Sequence, residues 1–146
     1  MAFLLDVNAL IALIDPDHEH HDITHHWFQS YSASGWATCP ITQNGVVRIV
    51  GHRNYINTPG TPGAVVDLMS RLCDHPGHTF WPNDISLLDR RWIDADRLLT
   101  SGQVTDSYLL ALAVSKGGQL ATLDRRLVTT AVTDGVKGLH LIQTAS

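Results

Sequence analysis

The sequence lacks the features of a secreted or membrane-spanning protein. Its two cysteines, Cys39 and Cys73, are far apart and too few for a disulfide framework, so a reducing cytosol is the simpler environment. No apolar run approaches the roughly 20 residues of a membrane helix. The first six residues, MAFLLD, contain no basic leader. We therefore expect no signal peptide, no membrane association and a cytoplasmic location.

The sequence is also short of positive charge. Its formal net charge of −4 at pH 7 argues against a protein that coats nucleic acid through a broad basic surface. Any contact with RNA must therefore be local, through a few arginines and through divalent cations that offset the charge of carboxylates and phosphates. This balance favours a metal-dependent mechanism.

Length and composition predict one folded domain over residues 1–146. The chain has 146 residues, of which 44% are hydrophobic and 16% charged, and this is enough to bury a substantial core. No internal repeat, low-complexity tract or composition shift marks a domain boundary.

Short apolar runs alternate with helical patterns along the chain, which predicts an α/β sandwich with a parallel sheet. The predicted strands are residues 3–5, 36–39, 79–81, 119–123 and 139–142. Helices are predicted within residues 17–34, after the capping residues Asn8, Thr42, Thr61 and Thr105, and from Ser86 to Leu99. Residues 52–63 are rich in glycine, proline and asparagine and are typical of an exposed loop.

Three aspartates stand where such a fold places its chemistry. Asp6 and Asp124 directly follow predicted strands, and ligands of open parallel sheets bind beyond the carboxyl ends of the strands. Asp106 lies in the first turn of a predicted helix. Each alone is more simply a turn former or a partner of the helix dipole, but together they predict a site for Mg²⁺ or Mn²⁺. Such a cation can activate water for phosphodiester hydrolysis.

Several segments then resemble a known family. The segment Leu4–Leu10, LLDVNAL, resembles the opening motif of PIN-domain nucleases. VTDSYLLALA at Val104–Ala113 and LATLD at Leu120–Asp124 resemble the third and fourth acidic motifs of VapC toxins. Each motif alone is weak, but their order and separation fit, and the resemblance spans almost the whole chain.

The resemblance implies a PIN-domain-like α/β/α sandwich, with a central parallel sheet flanked by helices, over residues 1–146. It implies the toxin of a type II toxin-antitoxin pair, which is an endoribonuclease dependent on Mg²⁺ or Mn²⁺ that cuts structured cellular RNA. The implied partners are a VapB-like antitoxin and a second copy of the chain. By carry-over, Asp6, Asp106 and Asp124 are the catalytic and metal-binding acids, and Asn8 supports the first of them.

The chain departs from the family at the second acidic position. PIN nucleases usually carry a glutamate in the helix that corresponds to Thr42–Arg48, where this sequence has Gln43, Asn44 and Gly45. An amide can accept a hydrogen bond or hold a metal-bound water, but it supplies no negative charge. Metal affinity could be weaker, another acid could take over, or the three aspartates could suffice with one tightly held cation.

This departure leaves two functions open: a working nuclease, and a catalytically impaired PIN domain that binds RNA or protein. A phosphate-receiving or flavodoxin-like module is disfavoured, because no glycine-rich loop follows the first strand. Four further residues are expected to support the site or bind substrate: Gln43, Asn44, Arg48 and Thr105.

Two other features allow alternative interpretations. Arg48 could reach a phosphate bidentately, or it could stack on its own helix or pair with an acid. Five histidines could suggest zinc, but zinc needs further ligands, and a solvated helix surface is the simpler interpretation. These histidines are His18, His20, His21, His25 and His26.

Overall fold

Five short strands form one parallel sheet in the computed structural model, which describes residues 1–143. They are β1 (Phe3–Leu5), β2 (Trp36–Thr38), β3 (His78–Phe80), β4 (Gln119–Thr122) and β5 (Leu139–Leu141). The strand order is β3-β2-β1-β4-β5, and every neighbouring pair is parallel. The predicted fold class is confirmed, and the predicted strands differ from the observed ones only at their ends.

Helices cover both faces of this sheet. They are α1 (Val7–Ile14), α2 (His21–Tyr31), α3 (Pro40–Val50), α4 (Pro62–Cys73), α5 (Val104–Ser115) and the short α6 (Gly135–Gly138). Successive side chains of a strand point to opposite faces. Phe3 and Leu5 accordingly join one buried core with α1 to α4, whereas Leu4 joins a second core with α5.

The strand order positions the site. From β1 the chain proceeds outward to β2 and β3, then returns to the other side of β1 to form β4 and β5. The direction of winding therefore reverses between β1 and β4. In open α/β sheets this switch point opens a crevice at the carboxyl ends of the strands. Asp6 and Asp124 follow the two strands that border it.

Three predicted helix caps were wrong. Asp6, not Asn8, precedes the first residue of α1, and Asp6 accepts a hydrogen bond from the Val7 amide. The third helix begins at Pro40, since proline suits a first helical position, and Thr42 lies inside it. Thr105 is also helical rather than a cap, because a 3₁₀ turn at Ser101–Gln103 runs directly into α5.

The predicted helix from Ser86 to Leu99 was also wrong. This segment consists of turns and a short 3₁₀ helix at Ala95–Arg97. The Asp89 carboxylate accepts from the Arg91 amide at 2.9 Å, and Asp94 accepts from the amide two residues on. Such local side-chain bonds offer the backbone an alternative to the helical ladder, and they prevail here.

In the part of the chain that the structure describes, no helix is both long and apolar enough to cross a lipid bilayer.

Gly45 sets the distance between α1 and α3 beside the switch point. A β-carbon at Gly45 would lie 2.7 Å from Cγ2 of Val7, which is closer than real contacts allow. Val7 directly follows Asp6, so the helix that carries the first acid packs against the bare backbone of α3.

We therefore expect Gly45→Ala to lower the free energy of unfolding by about 1–3 kcal/mol, since the core must shift to admit the methyl group. Gly63→Ala is the control, because a β-carbon there meets only Thr61 Oγ1, at 3.8 Å. This control should be neutral or stabilising by up to about 1 kcal/mol. Urea denaturation measures both variants, and Val7→Ala should partly rescue Gly45→Ala. Equal effects of the two glycine substitutions would contradict the close packing.

Candidate active site

Asp6 is buried at the end of β1 and held in one orientation. Its Oδ1 accepts a hydrogen bond from the Val7 amide at 2.8 Å. Its Oδ2 accepts from the hydroxyl of Thr122, also at 2.8 Å. The start of α1 thus positions one oxygen, and the end of β4 positions the other.

Thr122 connects the acids of these two strands. Its hydroxyl donates to Asp6 and accepts from the Asp124 amide at 3.1 Å and from Asn8 Nδ2 at 3.2 Å. Asn8 Oδ1 accepts in turn from the Leu123 amide at 3.2 Å. Asn8 therefore ties α1 to the end of β4 and acts on Asp6 through Thr122.

Thr122 was not among the site residues predicted from the sequence. Its position could have indicated a role, because it is a hydroxyl residue two positions before Asp124, at the end of a strand predicted to be buried.

Asp124 lies half-buried just beyond β4, and its Oδ1 accepts from the Arg126 amide at 2.9 Å. Asp106 approaches from the first turn of α5. Burial and then the negative charges of Asp6 and Asp124 raise the pKa of Asp106 to about 6. The charges of Asp6 and Asp124 therefore act on Asp106, which links the three predicted acids electrostatically at the switch point.

The pKa of Asp6 is raised as well. Burial is the largest cause, and the charge of Asp124 adds to it, while the hydrogen bonds from Thr122 and Val7 oppose the shift. Hydrogen bonds from Thr122 and Val7 therefore favour the charged form of Asp6. No such hydrogen bond opposes the rise in the pKa of Asp106.

A cavity of about 370 Å³ lies beside these acids. Asp6, Asp106, Asn44, Arg48 and Thr105 all line it, so five of the predicted residues share one cleft. Asp124 and Asn8 do not line this cavity, since Asp124 follows β4 and Asn8 is the second residue of α1. Gln43 is separate, because it faces a neighbouring cavity instead.

The donor chemistry fits a hard divalent cation. The three acids offer carboxylate oxygens, which Mg²⁺ and Mn²⁺ prefer. Among residues 1–143, no lysine or arginine forms an ion pair with any of the three acids. Within that same range, no three histidine, cysteine, aspartate or glutamate side chains are grouped tightly enough to enclose an ion directly. Bound water and side-chain rotation would complete the coordination, as is usual for Mg²⁺.

The remaining candidates from the sequence are Arg48 and the histidines. Arg48 is exposed, lines the cleft and forms no ion pair with the described residues. The rings of His21 and His25 stack with their centroids 5.7 Å apart, and His21 Nδ1 lies 2.7 Å from the Ala12 carbonyl. Arg48 is therefore available to a ligand, whereas His21 already has a structural contact.

Comparison with known proteins identifies the family. The PIN-domain family matches residues 3–132. Ribonuclease VapC39 of Mycobacterium tuberculosis is 42% identical over 131 residues, which cover 90% of this chain and 94% of that protein. Ribonuclease VapC44 of the same organism is 42% identical over 137 residues, or 94% and 96% of the two chains. Ribonuclease VapC29 is 39% identical over 87% of this chain and 89% of its own length. The chain therefore belongs to the PIN-domain family and, within it, to the VapC ribonucleases.

Proposed function

We propose that this chain is the toxin of a type II toxin-antitoxin pair, an endoribonuclease that hydrolyses phosphodiester bonds in structured cellular RNA with Mg²⁺ or Mn²⁺. The VapC relatives support the ribonuclease and toxin assignments. VapC ribonucleases generally depend on a divalent metal, act on RNA and pair with antitoxins. The proposal extends to a single domain over residues 1–146, a homodimer, a cytoplasmic location and a VapB-like antitoxin.

One observation carries the assignment of the site. Burial and the charge of Asp124 raise the pKa of Asp6, and burial and the charges of both Asp6 and Asp124 raise the pKa of Asp106. No described lysine or arginine forms an ion pair with any of the three. A protein that gathers three acids without a basic partner gains most from a bound divalent cation. We assign these three residues as the metal-binding and catalytic acids.

Each residue of the cleft has a distinct task in this mechanism. A divalent cation supplies Lewis-acid polarisation of the phosphodiester and lowers the pKa of the attacking water. Asp6 presents oxygens whose orientation Thr122 and Asn8 fix. Arg48, which lines the cleft, would donate N–H groups from two of its guanidinium nitrogens to two oxygens of a phosphate. Asn44 and Thr105 offer neutral hydrogen bonds along the same wall.

The negative charge of the protein and the character of this cleft suggest how an antitoxin would inhibit it. A basic side chain inserted among the acids would replace the cation, and the apolar rim would add buried area. Ile49 lines the cleft and is 38% exposed, so it offers apolar surface for such a contact. The antitoxin is thus expected to offer an arginine or lysine flanked by apolar residues.

A catalytically impaired PIN domain remains the second candidate. It is favoured by Gln43, which brings no charge and lies outside the cleft of the acids. Such a protein would bind RNA without cutting it. Incubation with cellular RNA in Mg²⁺ and in EDTA separates the two functions, because only a nuclease produces fragments that EDTA prevents.

We expect Asp6→Asn and Asp106→Asn each to lower kcat/KM for RNA cleavage on the order of 100-fold or more, because each removes charge that holds the cation. The control is Asp96→Asn, since Asp96 is exposed and does not line the cleft. Cleavage of a labelled RNA in Mg²⁺ measures all three variants. If both site variants keep Mg²⁺-dependent cleavage intact, the assignment of these acids is wrong.

The raised pKa of Asp106 predicts a pH-dependent stability of the metal-free protein. A carboxyl whose pKa rises from 3.8 to about 6 on folding contributes stability below pH 3.8 and loses it as the pH rises through 6. At pH 7.5 in EDTA, Asp106→Asn should therefore be more stable than the wild type. After allowance for solvent screening of this half-buried group, the gain should be about 1–2 kcal/mol.

Denaturation at pH 4 and pH 7.5 measures this difference, which should nearly vanish at the lower pH. Mg²⁺ should stabilise the wild type more than the variant, since the cation binds the folded state through the charged form. A variant less stable than the wild type at pH 7.5 in EDTA would show that no repulsion acts on Asp106.

A further inference from the structure

A second cavity of about 410 Å³ adjoins the candidate active site, between α3 and α4. Asn44 and Arg48 line both this cavity and the cleft of the acids. The two spaces are thus neighbours along one surface of α3. Because the two cavities share these lining residues, an RNA strand bound at the acids can extend along α3 toward the second cavity.

The walls of the cavity combine an apolar side with a polar edge. Val47, Val66 and Met69 supply the apolar side, while Gln43 and Ser70 supply polar groups. Apolar walls with a few placed polar groups are typical of small-ligand sites, and the volume is sufficient for a nucleobase. A nucleobase has flat apolar faces and a hydrogen-bonding edge. Its faces fit the apolar side of the cavity, and its edge fits the polar groups.

A hydrogen-bond chain fixes the orientation of the Gln43 amide. Gln43 Nε2 donates to Thr38 Oγ1 at 3.0 Å, and Thr38 Oγ1 lies 2.7 Å from His78 Nε2. Burial lowers the pKa of His78, which favours the neutral ring with one acceptor nitrogen. Thr38 can then donate to His78 and accept from Gln43. Because the amide nitrogen is used at Thr38, Oε1 of Gln43 is directed away from Thr38 as an acceptor.

Arg48 supplies the charge at the boundary between the two cavities. It is exposed and has no ion-pair partner in the described part of the chain. Its guanidinium group can hold the phosphate that joins the cut nucleotide to its neighbour, or stack on the base. Either contact would direct RNA, rather than a neutral ligand, into the second cavity.

We propose that this cavity is a base-binding subsite: one nucleobase of the RNA inserts between α3 and α4, and Gln43 Oε1 accepts a hydrogen bond from its N–H edge. The proposal rests on the proposed function, since it assumes an RNA substrate. It also gives Gln43 a task in base selection instead of metal binding. Val66 and Met69 pack on the base and Arg48 holds the adjoining phosphate.

The test uses the two methionines of the full chain as probes, because Met69 lines the cavity and Met1 is 71% exposed. Protein labelled with ¹³C at the methionine methyl groups is titrated in Mg²⁺ with AMP, CMP, GMP, UMP and ribose 5-phosphate. We expect the Met69 signal to shift with at least one nucleotide, which binds about tenfold or more tightly than ribose 5-phosphate. Met1 should not respond.

Three variants then test the residues. Val66→Phe, which fills the cavity, should weaken nucleotide binding about tenfold or more, whereas Asp67→Phe at the adjacent exposed position should change it less than about twofold. Gln43→Met should reduce the difference in affinity among the four bases to less than about threefold. Thermal melting of each variant verifies that it is folded.

Gln43→Glu separates base selection from metal binding. If residue 43 faces the base, titration with Mn²⁺ alone should give an affinity within about threefold of the wild type. A tenfold tighter Mn²⁺ affinity would place residue 43 at the ion and overturn the proposal. Equal binding of ribose 5-phosphate and the nucleotides, or an unaffected Val66→Phe variant, would also overturn it.

The two proposals fail in different ways. Nucleotide binding at Met69 by a protein that cuts no RNA would contradict the proposed function and leave the subsite in place. If the protein cuts RNA but no nucleotide shifts the Met69 methyl signal, the subsite alone is contradicted. A Val66→Phe variant that loses a protein partner while its nucleotide and RNA affinities stay unchanged would identify the cavity as a protein-docking groove instead.

Discussion

Mutual repulsion among three carboxylates at one edge of the sheet is the constraint on which the site depends. Asp6, Asp106 and Asp124 come from a strand end, a helix start and a second strand end, and each is fixed there by the backbone. Burial, and then the negative charges of Asp6 and Asp124, raise the pKa of Asp106 to about 6. The buried, neighbouring negative charges destabilise the metal-free protein, and a bound divalent cation can offset this destabilisation. The same charges then hold the cation for catalysis.

The surrounding structure keeps the acids together. The switch point between β1 and β4 makes two of the acids neighbours, and the hydroxyl of Thr122 bonds to both. Asn8 fastens α1 to the end of β4, and Gly45 lets α3 pack closely against α1. Small polar and backbone groups therefore supply the rigidity, and the charged residues supply the chemistry.

The sequence predicted the sheet and its strand-exit acids because both depend on local patterns: a short apolar run, then an aspartate. It failed where side chains bond to nearby backbone. Asp89 and Asp94 replaced a predicted helix with turns, since their carboxylates accept from amides two residues on. Thr122 was missed because its bond to Asp6 joins segments far apart in the chain. The direction of Gln43 was unpredictable because Thr38, to which its amide bonds, also contacts His78, 40 residues further along.

The structure gives Gln43, which departs from the family pattern, a definite position, since its amide bonds to Thr38 and borders the second cavity.

The central claim is that the three aspartates share a cation. Crystals soaked in Mn²⁺ test it most directly through anomalous scattering. The account predicts a peak in contact with oxygens of Asp6 and Asp106 and within one water of Asp124. A Mn²⁺ peak at another place, with the three carboxylates free of metal, would contradict it.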